Sequence, residues 1–122
     1  MPLIPPTVLK KLYVKGSLRR EDEGFAFDLK NLIAPATITS LEGLEVDGEQ
    51  VDGSRVTIVP PSGNARPIER ISSARPLNFP VGVVVTLHVS GETLEPGKHD
   101  LALRVNVKEI GWLDIPVSDR IA

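Results

Sequence analysis

Histidine and cysteine carry most side-chain chemistry near neutral pH, and this chain has two histidines, His88 and His99, and no cysteine. Disulfides, thiolate metal sites and thiol nucleophiles are therefore absent together. The segments VGVVVTLHV and KHDLALRVNV alternate apolar and polar residues. A hairpin that keeps both apolar faces inward sets Leu87 against Leu101 and Val85 against Leu103. In that register His88 faces Asp100 on the outer surface with Ser90 nearby, two members of a hydrolytic triad and a candidate nucleophile. No GxSxG elbow accompanies them, and a surface cross-strand pair accounts for the same residues. Two histidines near one strand end also lack the third ligand that a zinc site needs.

Three other clusters invite chemistry. Glu42, Glu45, Asp47, Glu49 and Asp52 suggest a calcium loop but lack EF-hand spacing, and Asp47 and Asp52 each precede glycine, where turn chemistry explains them. Arg66, Arg70 and Arg75 could grip a phosphate or carboxylate, because guanidinium forks match those anions. Carboxylate pairs for glycoside hydrolysis need a cleft with sugar-stacking aromatics, and just Tyr13 and Trp112 stand at polar-side positions. Val84, Ala102 and Trp112 are apolar residues on the face that alternation makes outer, which marks a surface covered by a loop or a second subunit.

The elements that must position these residues are strands. Val83, Val85, Leu87 and Val89, then Leu101, Leu103, Val105 and Val107, then Leu113, Ile115 and Val117 alternate as pleated strands with one apolar face. Upstream, PPTVLKK over 5–11 predicts one helical turn. LYVKGSLR over 12–19 predicts a strand with Leu12, Val14 and Leu18 inward, and FAFDLKNLI predicts its hairpin partner with Phe25, Phe27 and Leu29 inward. Thr37–Ser40 begins a further strand, with a bulge near Gly43 where apolar parity shifts. LEV-DG-EQV predicts a two-residue hairpin, and RVTIV a strand after the second Asp-Gly. Five prolines over 60–80 predict irregular or edge structure that Ile68, Ile71, Leu77 and Phe79 hold against the core. Seven or eight short strands define an all-β class and one β-sandwich domain over 1–122.

Charge is distributed in blocks. Residues 1–20 carry +5, residues 21–53 carry −8, residues 54–76 carry +3 and the remainder −2, for a net charge of −2. Opposed blocks on one surface suit head-to-tail association between copies. The net sign and the lack of aromatics among the basic residues argue against nucleic acid. No run is apolar and long enough for a signal peptide or membrane span, so the expected compartment is the cytoplasm.

Two resemblances add to this. LEPGKHDLALRVNV resembles the final strands of immunoglobulin-like sandwiches, which implies architecture. VLKKLYVKGSLRREDEGFAFDLKNLIAPATIT with LEVDG resembles a family of short prokaryotic proteins, some of which carry the name hydroxymethylglutaryl-CoA reductase. That resemblance spans nearly the whole chain and brings no catalytic motif: there is no GxGxxG turn opening a helix. The expectation is a non-enzymatic, self-associating interaction module without cofactor or metal, in contact through Trp112, Val84 and Ala102. The alternative is a small-ligand or glycan-binding module using Trp112, Tyr13, Arg66, Arg70 and Arg75. An enzyme built on His88, Asp100 and Ser90 comes third.

Overall fold

The computed structural model describes residues 5–21 and 23–121. Two antiparallel sheets pack face to face as an all-β sandwich, the expected class. Among the described residues ten strands build it rather than seven or eight, because four of them are pieces of two or three residues. The first sheet runs β1 (Arg19–Glu21), β2 (Gly24–Lys30), β8 (Val84–Ser90), β5 (Val56–Val59) and β6 (Arg66–Pro67). The second runs β10 (Gly111–Ile121), β9 (Gly97–Val107), β3 (Ala36–Val46) and β4 (Glu49–Val51), with β7 (Leu77–Phe79) beside the first half of β3. Phe25, Phe27, Leu44, Leu87 and Leu103 are fully buried between the sheets.

The N-terminal turn is present as α1 (Pro6–Leu9) continuing into a 3-10 turn at Lys10–Leu12, and Leu9 and Leu12 are buried. The expected strand over 12–19 does not form. Tyr13 makes a single bridge to Leu29, the Ser17 N–H closes a turn onto the Val14 carbonyl, and Gly16 takes φ +84°. Only Arg19–Glu21 joins the sheet, and it still makes the expected hairpin with β2. Gly24 opens β2 where a Cβ would lie 1.7 Å from the Val89 carbonyl oxygen, a contact that no larger residue survives.

In β3 the apolar parity shifts twice, between Ile38 and Ser40 and again between Leu41 and Gly43. Each shift admits one extra residue, so Ile38, Leu41 and Leu44 all face inward at a spacing of three. Asp47 (φ 50°) and Gly48 (φ 87°) make the expected two-residue turn into β4. The proline-rich 60–80 segment crosses from the edge of the first sheet at β6 to the second at β7, and Ile68, Ile71, Leu77 and Phe79 are buried as expected.

The largest correction concerns β8 and β9. They are not a hairpin: β8 lies between β2 and β5, while β9 lies between β10 and β3. The link between them carries a buried Leu94, whose carbonyl accepts from Arg20 Nε at 2.8 Å, and takes the chain from one layer to the other. A polar link between two alternating strands reads as a turn, yet it is long enough to cross a sandwich.

Candidate functional site

With β8 and β9 in different layers, the His88–Asp100 pair disappears. His88 Nδ1 instead meets Glu21 Oε1 at 2.6 Å on the outer face of the first sheet. Ser90 Oγ donates to the Arg55 carbonyl, and Asp100 belongs to the opposite sheet. The rest of that face is a polar chain, with Thr86 Oγ1 donating to Asp28 and Arg19 paired with Asp28. Ala26, which alternation with the inward Phe25 and Phe27 turns outward, is nonetheless fully buried, flanked by its neighbours in register, Arg19 and His88.

The same topology splits Val84 from Ala102 and Trp112, which sit on opposite outer faces of the sandwich. Trp112 is 44% exposed and carries the Arg104 guanidinium 5.0 Å from its ring centroid. Arg104 also reaches Asp114 and Glu42. Beside it lies a shallow saddle floored by Ala102 and Gly43 and walled by Glu45, Gln50, Arg104 and Asp114. This surface is charged, not apolar.

Of the remaining expected binders, Tyr13 and Arg66 are engaged in hydrogen bonds within the fold. Tyr13 Oη donates to Asp119 Oδ2 at 2.6 Å and accepts from the Leu18 N–H. Burial first, then the Asp119 carboxylate, raises the tyrosine pKa, and the phenol's hydrogen bond is the main cause lowering that of Asp119. Arg66 spends its guanidinium on the Pro76 and Arg75 carbonyls, bracing the proline-rich segment, while Arg70 and Arg75 are exposed on it. The acidic stretch does not converge: Asp52 accepts from the Ser54 N–H, Asp47 turns toward His99, and Glu42 toward Arg104. Among the described residues no three His, Asp or Glu side chains are placed to hold a metal.

Two features at opposite ends of the sandwich were missed by pattern reading. At one end Asn31, 3% exposed, is surrounded by partners. Its Nδ2 donates to the Ala34 and Phe79 carbonyls at 2.7 and 2.6 Å, and its Oδ1 accepts from the Ile33 N–H. Its backbone bonds the Val83 carbonyl and the Gly82 N–H. Asn31, through its side chain and its backbone together, thus ties loop 31–35 to Phe79 and loop 80–83. These loops present Leu32, Ile33, Val81 and the neighbouring Val84, four of the five large exposed hydrophobic residues among those described. Below them an apolar slot of about 50 Å³ runs between the sheets, with Ile33, Ala34, Ile110 and Leu113 among the less buried lining residues. Lys30, Lys108 and Glu109 stand exposed at the same end, Glu109 accepting from the Thr37 N–H and hydroxyl. An asparagine inside the apolar run FAFDLKNLI was the available signal.

At the other end His99 is held at both nitrogens, Nδ1 by Asp47 Oδ2 and Nε2 by the Glu95 carbonyl, each at 2.6 Å. Two acceptors require two protons, so the imidazolium is favoured. The Glu95 carbonyl and then Asp47 raise the His99 pKa, while the Asp100 N–H and then His99 lower that of Asp47. Asp119, the register partner of His99, anchors Tyr13 and the Gly16 N–H.

The fold and these surfaces define a small all-β sandwich with an apolar end, a polar end and a charged sheet face. The chain belongs to the family described as hydroxymethylglutaryl-CoA reductase, N-terminal domain, which it matches over residues 8–122. No curated protein matches it. Among solved structures it is similar to a family 123 glycoside hydrolase from Clostridium perfringens, with 12% identity, 85% of this chain and 22% of that one covered, and a TM-score of 0.35. The chain therefore spans under a quarter of that enzyme's length.

Proposed function

We propose that this chain is a non-enzymatic, self-associating interaction module, working in the cytoplasm as a homo-oligomer without nucleic acid. The observation that carries it is the gathering of Leu32, Ile33, Val81 and Val84 at one end, where Asn31 ties loop 31–35 to Phe79 and loop 80–83. Exposed apolar groups on a rigid support lose little conformational entropy on docking, which favours binding over catalysis as their use. The separation of His88, Ser90 and Asp100 removes the support for a hydrolase. A reductase activity has no support either, since the sequence lacks the glycine-rich turn that holds a dinucleotide. The lack of cysteine supports a reducing compartment, and no helix among the described residues is long and apolar enough to cross a membrane. Size-exclusion chromatography with light scattering tests the proposal: a concentration-dependent mass above that of one chain is expected, and a clean monomer at high micromolar concentration contradicts it.

The exposed Trp112 beside the Ala102–Gly43 saddle favours a second function, small-ligand or glycan binding. Its fluorescence would then respond to a sugar or small anion, and silence across a broad panel removes it.

A further inference from the structure

We infer that the self-association proposed above runs through the Asn31 end as a reciprocal socket, the Leu32 side chain of each copy entering the apolar slot of the other. Leu32 is 55% exposed at the crest of loop 31–35, and the slot that begins beside Ile33 and Ala34 is the apolar opening nearest to it in the chain. Asn31, the polar residue of that lining, has each of its amide groups engaged, so the slot offers a guest no hydrogen bond and selects a purely apolar one. Its size decides which. At about 50 Å³ it is a third of the roughly 150 Å³ needed to hold a benzene ring, too small for an acyl chain and suited to the end of one branched side chain. The charges at its rim point the same way. Lys30 and Lys108 with Glu109 give both signs at one end, which complements a second copy, whereas an anionic lipid surface is served by cations alone. Projection and socket on the same patch are the requirement for an isologous two-fold contact. Four exposed aliphatic side chains fall short of the roughly 800 Å² per partner of a standard interface, so the dimer belongs to the weak, micromolar class.

The test measures the dimer dissociation constant by sedimentation equilibrium for the full chain and three variants. Leu32→Ala shortens the projection and is expected to weaken the dimer by roughly tenfold or more, Leu32 being its central anchor. Ala34→Phe, at an exposed position on the lining, covers the slot mouth with a ring too large to enter it and is expected to weaken the dimer comparably, with thermal unfolding showing that the fold persists. Trp112→Ala, on another face, is expected to leave the constant unchanged. If the native chain dimerises and Leu32→Ala and Ala34→Phe change nothing, the socket is wrong while self-association stands. If the native chain is monomeric at all concentrations, both fail. Binding of a monomer to phosphatidylserine vesicles that Leu32→Ala abolishes would make the occupant a lipid surface and overturn the proposal.

Discussion

The two ends of the sandwich are closed by opposite means. At the 31–35 and 80–83 end a neutral, buried amide bonds the Ala34 and Phe79 carbonyls and the Ile33 N–H, and the surface beyond it is aliphatic. At the 47 and 95–99 end the closure is ionic, with His99 clamped between Asp47 and the Glu95 carbonyl and Asp119 gripping Tyr13. Amide closure is indifferent to pH and lies beside an exposed aliphatic patch. Ionic closure keeps water close and ties the stability of that end to protonation. The contrast teaches that one end presents an aliphatic surface over a neutral closure and the other a charged, hydrogen-bonded one.

The comparison breaks most severely at Asn31. Asn31→Asp replaces two donated hydrogen bonds with a carboxylate facing the Ala34 and Phe79 carbonyls; removing buried partners costs about 1–3 kcal/mol for each group left unsatisfied. Chemical denaturation is expected to show a loss on the scale of Leu103→Ala, a fully buried yardstick worth about 2–5 kcal/mol. A loss below 1 kcal/mol would mean that the loops hold without the amide.

Tyr13→Phe probes the opposite end. It deletes the hydroxyl shared by Asp119 and the Leu18 N–H, and is expected to cost about 1–2 kcal/mol in the same assay. An unchanged midpoint would reduce that tie to a surface contact.

His99 sharpens the comparison through pH. Its folded pKa is raised, so its contribution is fully present below the unfolded value near 6.5 and is lost as pH rises through the folded value. Asp47 is lowered, so its contribution is present above its unfolded value near 3.8 and is lost as pH falls through the folded one. The latch is therefore strongest between about pH 4 and 6.5. Thermal melts are expected to lose midpoint from pH 6 to 9 in the native chain and to lose less in His99→Gln. Identical slopes would show that the pair does not couple to folding.

The smallest effect belongs to Trp112→Ala. An exposed cation–π pair contributes roughly 0.5–1 kcal/mol, so stability is expected to fall by no more than that. A larger fall would place the tryptophan in the core.

Much of the fold was legible because alternation is a local signal. The inward sides of β2, β8, β9 and β10, the Asp47-Gly48 turn and the burial of Ile68, Ile71, Leu77 and Phe79 along the proline-rich 60–80 segment all follow from neighbouring residues. Pairing between strands is not local, and that is where reading failed. Leu94 buried in the link moved β9 to the other layer, and with it went the His88–Asp100 pair and the Val84–Ala102–Trp112 cluster. The candidate site was hidden for the same reason: loop 31–35 and loop 80–83 are nearly fifty residues apart in sequence, and they meet through strand pairing and the side-chain and backbone hydrogen bonds of Asn31. Leu32 and Ile33 read as the end of a strand, although the chain leaves the sheet after Lys30.

Amide chemical shifts followed through a dilution series test the central claim most directly, because they report which end meets a partner without any substitution. Residues 31–34, 81–84 and 108–110 are expected to move with concentration, while Asp47, Glu95 and His99 stay still. Movement confined to Trp112, Arg104 and Glu45, or to the His99 end, would contradict the account, and spectra unchanged up to millimolar concentration would refute self-association altogether.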